Sequence, residues 1–134
     1  MAVKLLTQIW RDEKINEKRQ FEAGEIDASE CCMAELFPDE FINETEPLLQ
    51  SLADRISDID ELDYPAVSDA IKTLVMALNQ INEKFDQAVI ETGEREQLCQ
   101  FIEDVIEESA VDLGKYAVNF GCDSSEITDT WRNW

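Results

Sequence analysis

Apolar residues recur along this chain at steps of three and four, and nowhere alternate one in, one out as a half-buried strand requires. The pattern is plainest from Pro65 to about Val89. There Val67, Ile71, Leu74, Leu78, Ile81, Phe85 and Val89 fall on one helical face. A second stretch lies in PDEFINETEPLLQSLADRISDID, where Thr45 suits an N-cap and Pro47 a first turn. Its stripe is Leu48, Leu49, Leu52, Ile56 and Ile59. A third runs from about Glu94 to Phe120, with Leu98, Phe101, Ile102, Val105, Ser109, Leu113, Tyr116, Ala117 and Phe120 inward and Gly121 as a left-handed C-cap. Helical geometry then turns Gln100, Glu103, Asp104, Glu107, Val111 and Lys115 to the opposite side, with Glu108 and Asp112 at the border.

Upstream, roughly Val3–Gln20 reads as helix, apolar at Leu5, Leu6, Ile9 and Trp10 and very polar in its second half. A loop around FEAGEID follows, then a short helical piece, ASECCMAELF, halted at Pro38. The closing segment CDSSEITDTWRNW offers Asp123 or Ser124 as a cap, and Trp131 and Trp134 as apolar anchors. The expected fold is all-α and a single domain over 1–134. It is an antiparallel bundle of three long helices within 38–134, plus an N-terminal basic helix or arm over 1–20 and a short C-terminal tail.

Charge changes this picture. The chain carries 31 acidic against 11 basic residues, a formal net of −20, well beyond the roughly 2–8 that solubility alone requires of a small domain. With 44% apolar residues in helical register, disorder is not the explanation. Such a field repels nucleic acid and anionic membrane and speeds encounter with cations and basic proteins. It is also uneven: residues 1–20 hold five basic and three acidic residues, leaving 6 and 28 for the rest. The first segment is therefore expected either to lie on an acidic body, its own or a second copy's, or to be a separate helix whose charges have no role.

Cys31, Cys32, Cys99 and Cys122 show neither C-x-x-C nor zinc spacing, and adjacent cysteines are poorly placed to bridge each other. MAVKLLTQIW is too short and too soon charged for a signal peptide, and no apolar run approaches a membrane span. The expectation is a reduced, cytoplasmic protein whose thiols mostly fill the core.

No histidine occurs, which removes the commonest proton shuttle and the Ser-His and Cys-His pairs. No Walker loop, glycine-rich nucleotide loop or G-x-S-x-G is present either. The richest acidic loop, DRISDIDELDYP, lacks the glycine and final glutamate of an EF-hand. No catalytic, cofactor or metal residues are expected, and the protein is not expected to be an enzyme.

Binding to a basic protein is the sharper expectation, since steering and paired charges favour an acidic face. The candidate residues are Asp58, Asp60, Glu61 and Asp63 in the DIDELD loop, then Glu83, Glu103, Asp104 and Glu107, with Val111 as an apolar anchor in the acidic stripe. Met76 is expected outward in the same way, beside Lys72, Asn79 and Glu83. Against this stands the plain reading that the acids solvate a helix and that scattered exposed apolar residues are normal. Two other functions remain open: carboxylates that mimic nucleic acid and occupy DNA-binding proteins, or a helical ligand carrier with a pocket in the bundle. Homodimerisation is open as well.

From Phe37 to Trp134 the chain resembles a family of small, uncharacterised bacterial proteins, a domain of unknown function. The segments that carry the resemblance are INEKFDQAVIE, FIEDVIEESAVDLGKYAVNFGCD and EITDTWRNW. The shared features fall on Glu83, Lys84 and Phe85, on Phe120, Gly121 and Asp123, and on Arg132 and Trp134. Two positions depart: Asn79 stands where such relatives tend to have histidine, and Cys122 where they have an aromatic. The resemblance implies an all-helical fold and no activity. Size, acidity and helical make-up are also similar to immunity proteins of bacterial toxin systems, a likeness of type without a motif.

Overall fold

In the computed structural model, which describes residues 4–30, 38–87 and 89–134, α-helices account for all long regular elements. They are α1 (Leu6–Glu22), α2 (Asp39–Asp58), α3 (Tyr64–Lys84), α4 (Thr92–Glu108) and α5 (Leu113–Phe120). Short 3-10 turns occupy Ala28–Glu30 and Ser124–Glu126, and no strand occurs among the described residues. The helix expected over ASECCMAELF lies outside the described residues from 31 onward, as do Cys31 and Cys32. No helix is long and apolar enough to cross a membrane among those described.

Ion pairs report how the first three helices run. Lys14 meets Asp39, and Arg11 meets Glu46 and, at 2.8 Å, Asn43, so α1 and α2 are antiparallel. Lys84 at the end of α3 reaches Glu40 and Glu44 near the start of α2, each at 2.8 Å. Arg55 near the end of α2 reaches Asp69 near the start of α3 at 2.9 Å, so this pair is antiparallel too.

The basic N-terminal segment therefore lies on its own acidic body. It also belongs to the core. Trp10 is fully buried, stacks on Phe41 with ring centroids 5.3 Å apart, and donates its Nε1–H to Gln97 of α4 at 2.9 Å. Phe41 in turn meets Phe85 edge-on at 6.2 Å. A second aromatic chain closes the other end: Tyr64 on Tyr116, Tyr116 on Phe120 and Phe120 on Trp131, at 6.0, 5.9 and 5.5 Å.

Several boundaries differ from expectation; α3, for one, stops at Lys84 and not near Val89. The second helix starts at Asp39, with Asp39 and Glu40 complementing the dipole of its first turn. Thr45 is then a buried interior residue, not a cap, and Pro47 sits well inside the helix. Burial of Phe41 and Ile42 in the added turns favours this extension, although Pro47 has no N–H for the carbonyl of Asn43.

The last long helix is two. Ser109 turns extended, its hydroxyl donating to the carbonyl of Ile106 at 2.6 Å and accepting from the N–H of Val111 at 3.1 Å. Asp112 then caps α5, its carboxylate accepting from the N–H of Lys115 at 2.9 Å. Gly121 closes α5 at φ +83°, the left-handed cap anticipated there.

The tail is held by more than its tryptophans. Ile127 and Thr128 are buried, and Asn79 of α3 reads the tail backbone with both ends of its amide. It donates to the carbonyl of Trp131 at 2.8 Å and accepts from the N–H of Asn133 at 3.2 Å. Asn79 is thus buried and not outward as expected, although its amide still reaches the sulfur of exposed Met76 at 3.7 Å.

Candidate functional site

Each expected site residue takes its position from the helix ends just described. Asp58 closes α2, and Asp60, Glu61 and Asp63 form the turn that reverses the chain into α3; all four are exposed. Two of them also shape that turn. Asp60 accepts from the N–H of Leu62 at 2.9 Å, and Asp63 caps α3 by accepting from the N–H of Ala66 at 3.2 Å. Glu83 is exposed at the far end of α3. At about 1.5 Å per residue, a helix of this length holds Glu83 roughly 30 Å from the loop acids. Glu83 and the loop therefore belong to separate surfaces.

Glu103, Asp104 and Glu107 share one side of α4, half-buried for the first two and exposed for the third. Asp104 accepts from the side-chain amide of Gln100 at 2.8 Å. Partial burial, then the neighbouring charges of Glu107 and Asp104, push the carboxyl of Glu103 above its ordinary value of 4.5. A carboxylate so placed favours any cation that approaches it.

Val111 does not belong to this surface. It is 3% exposed, packed in the core. Val111 lies in the break between α4 and α5, where helical spacing does not set its direction, and there it turns inward. Its place as an apolar exposed residue falls instead to two residues not anticipated. Leu62 is 70% exposed in the middle of the acidic loop, and Val118 is 79% exposed on α5. Signals for both were in the sequence. Leu62 is the apolar residue flanked by Asp60, Glu61 and Asp63, and Val118 stands one heptad beyond Val111 on the expected outward stripe.

Six of the chain's eleven cations pair with other acids. Ion pairs among the described residues include Lys4 with Asp12, Arg11 with Glu46, Lys14 with Asp39, Arg55 with Asp69, Lys84 with Glu40 and Glu44, and Arg132 with Asp129. None of Asp58, Asp60, Glu61, Asp63, Glu83, Glu103, Asp104 and Glu107 takes part in one. The candidate acids of the α2–α3 loop and α4 are thus left without an ion pair among the described residues.

Other chemistry-bearing groups have structural partners. Cys99 and Cys122 are free thiols, each partly buried. Cys99 lies 3.6 Å from the hydroxyl of Thr128 and accepts from Arg132 at 3.3 Å, while Arg132 also pairs with Asp129 and covers the Trp134 ring at 5.4 Å. Burial raises the Cys122 thiol above its ordinary range, with the acids Glu126, Asp123 and Asp129 adding to the effect. Burial likewise raises the Tyr116 phenol, whose oxygen shares a 2.8 Å hydrogen bond with Ser68. No group of three or more carboxylates and thiols is placed to hold a metal ion among the described residues.

Comparison with known proteins finds no matching family model, no matching curated protein and no matching solved structure.

Proposed function

We propose that this protein acts by binding, as an acidic helical inhibitor of the immunity-protein type that captures and neutralises a basic bacterial toxin effector, such as a nuclease. The supporting observation is the set of acids on the α2–α3 loop and α4 that no cation of the chain compensates among the described residues. Exposed, unpaired carboxylates on a rigid scaffold raise the on-rate of a basic partner and select it by charge pattern. On this reading the protein has no catalytic residues and works in the cytoplasm. Glu103, Asp104 and Glu107 supply one part of the complementary charge and the DIDELD loop another.

The test is capture by tagged protein from the native host at low and high salt, read by mass spectrometry. Wild type is compared with the triple variant Glu103→Lys, Asp104→Lys, Glu107→Lys. The expected result is one stoichiometric basic protein, released by salt and lost by about tenfold or more in the variant, since each close charge pair at an interface contributes on the order of 1 kcal/mol or above. A partner held equally well by both proteins removes α4 from the account. Competition with duplex DNA for several unrelated DNA-binding proteins would instead assign the acids to nucleic-acid mimicry.

A further inference from the structure

Spacings of three and four put Arg11, Lys14, Ile15 and Lys18 on one side of α1. Beside the start of α2 that side borders an open groove of about 630 Å³, whose lining sets Arg11, Lys14 and Lys18 against Glu17 and Asp39. Three cations against two acids make a basic place on a chain of net −20. Arg11 is paired with Glu46 and Lys14 with Asp39, but Lys18 is exposed and in no ion pair among the described residues. Ile15 gives the groove an apolar wall and is 58% exposed.

The opposite chemistry stands at the other end of α2. In the turn that follows it Asp58, Asp60, Glu61 and Asp63 are exposed and in no ion pair among the described residues. Leu62, between them, is 70% exposed. The turn is ordered: the N–H of Leu62 donates to the carboxylate of Asp60 at 2.9 Å, and the N–H of Asp63 to the carbonyl of Asp60 at 3.0 Å. A segment already fixed loses little entropy when it docks. Asp39 of the groove and Asp58 of the turn are the two ends of α2, roughly 30 Å apart at about 1.5 Å per residue. α2 thus holds the loop away from the groove of its own chain.

We propose that a second copy of this chain fills the groove: the α2–α3 loop of one copy docks between α1 and the start of α2 of another, Leu62 seating against Ile15 and the loop acids meeting Lys18, Arg11 and Lys14. Loop and groove are different surfaces, so each copy carries one of each and the contact is head-to-tail. Two molecules of charge −20 repel at a distance. In about 0.15 M salt that repulsion is screened beyond about 8 Å, while charges in contact lose far less. One loop in one groove buries less than the about 1,200 Å² of a stable complex, so the contact is weak and depends on concentration. It goes beyond capture of a basic effector and does not depend on it. The same loop acids serve both, so effector and second copy compete for them.

Sedimentation equilibrium of the full chain tests this, from about 10 μM to about 1 mM in about 0.15 M salt. The mean mass of wild type is expected to climb above 15.4 kDa. A groove variant, Ile15→Ser with Lys18→Gln, and a loop variant, Leu62→Ser with Glu61→Gln, each weaken association about tenfold or more, the scale of burying part of one leucine side chain. An equimolar mixture of the two associates again and stops at two copies, because the intact loop of the first fits the intact groove of the second. All four positions are exposed, so thermal unfolding of both variants should match wild type. Wild type that stays monomeric at every concentration overturns the proposal, and does so without touching the binding of a basic effector. Association that survives in either variant, or a mixture that stays monomeric, overturns it as well by assigning self-contact to another face.

Discussion

Asp86 and Gln87 hold φ at +58° and +59°, a left-handed pair that ends α3 and lets the N–H of Gln87 return to the carbonyl of Asn82 at 2.7 Å. That conformation costs a residue with a Cβ about 1–2 kcal/mol, less for aspartate, and costs glycine almost nothing. Gln87→Gly is therefore expected to stabilise the fold by about 1 kcal/mol and raise Tm by about 3–6 °C. Gly121 presents the mirror case at φ +83°, where a Cβ would meet no atom within 4 Å. Gly121→Ala should thus cost about 1 kcal/mol through the backbone alone. Calorimetry of the two variants checks both signs, and a Gln87→Gly protein that melts lower than wild type would show that the side chain, not the backbone, governs the turn. The same pair explains what was legible. A glycine after an apolar run announces a left-handed cap, whereas glutamine carries no such mark, and so the third helix was read on to Val89 although it stops at Lys84.

Helix existence was readable in the element-scale pattern, and helix ends were not. Leu49, Leu52 and Ile56 on α2, and Val67, Ile71, Leu74 and Leu78 on α3, are all buried as their spacing requires. The register of α4 survived the break at Ser109 only by coincidence. Leu113, Tyr116 and Ala117 stay inward on α5 as they would on a continued helix, so periodicity could not reveal the interruption. The local signal was chemical: Ser109 and Asp112 are residues that hydrogen-bond the backbone at helix ends. Missing it misplaced Val111. Pro47 misled in the opposite direction, by suggesting a helix start where the helix in fact continues. An interior proline removes one backbone hydrogen bond and crowds the preceding turn, at about 3 kcal/mol in an exposed helix. Because Pro47 is exposed, Pro47→Ala should restore the bond to Asn43 without disturbing the core. The expected gain is about 1–3 kcal/mol, reduced from the full value by the greater freedom of the unfolded alanine chain. Chemical denaturation should show a higher midpoint at unchanged m-value; an unchanged midpoint would mean that α2 has already relaxed around the proline.

Over the whole molecule the distribution of charge matters more than its sum. The −20 was plain from composition, and so were the acidic loop and stripe, but which acids lack a partner depended on where α1 lies. Its cations compensate Asp39 and Glu46 on α2, leaving the α2–α3 loop and α4 unneutralised among the described residues. Self-repulsion of such a surface should be visible in stability. Glu103 adds to it: burial first, and the charges of Glu107 and Asp104 second, hold its folded-state pKa above the unfolded 4.5, so its charge opposes folding at neutral pH. Stability from this group therefore rises as pH falls through the folded pKa, and gains nothing further below 4.5. Asp12 and Asp39 work the other way, each held below 3.8 by hydrogen bonding to Lys4 and Lys14 respectively. Their contribution is present above 3.8 and is lost as pH falls through their folded pKa values. The two signs act in different ranges, relief of Glu103 as pH falls toward 4.5 and loss from Asp12 and Asp39 below 3.8. Added salt screens exposed charges over a distance of about 10 Å at 0.1 M, so Tm at pH 7 should rise with sodium chloride and rise less at pH 5. Thermal unfolding followed by circular dichroism at both pH values and two salt concentrations measures this. A Tm that falls with salt at pH 7 would mean that the ion pairs on α1 and α2 outweigh the repulsion, and that the acidic surface is less strained than its unpaired carboxylates imply.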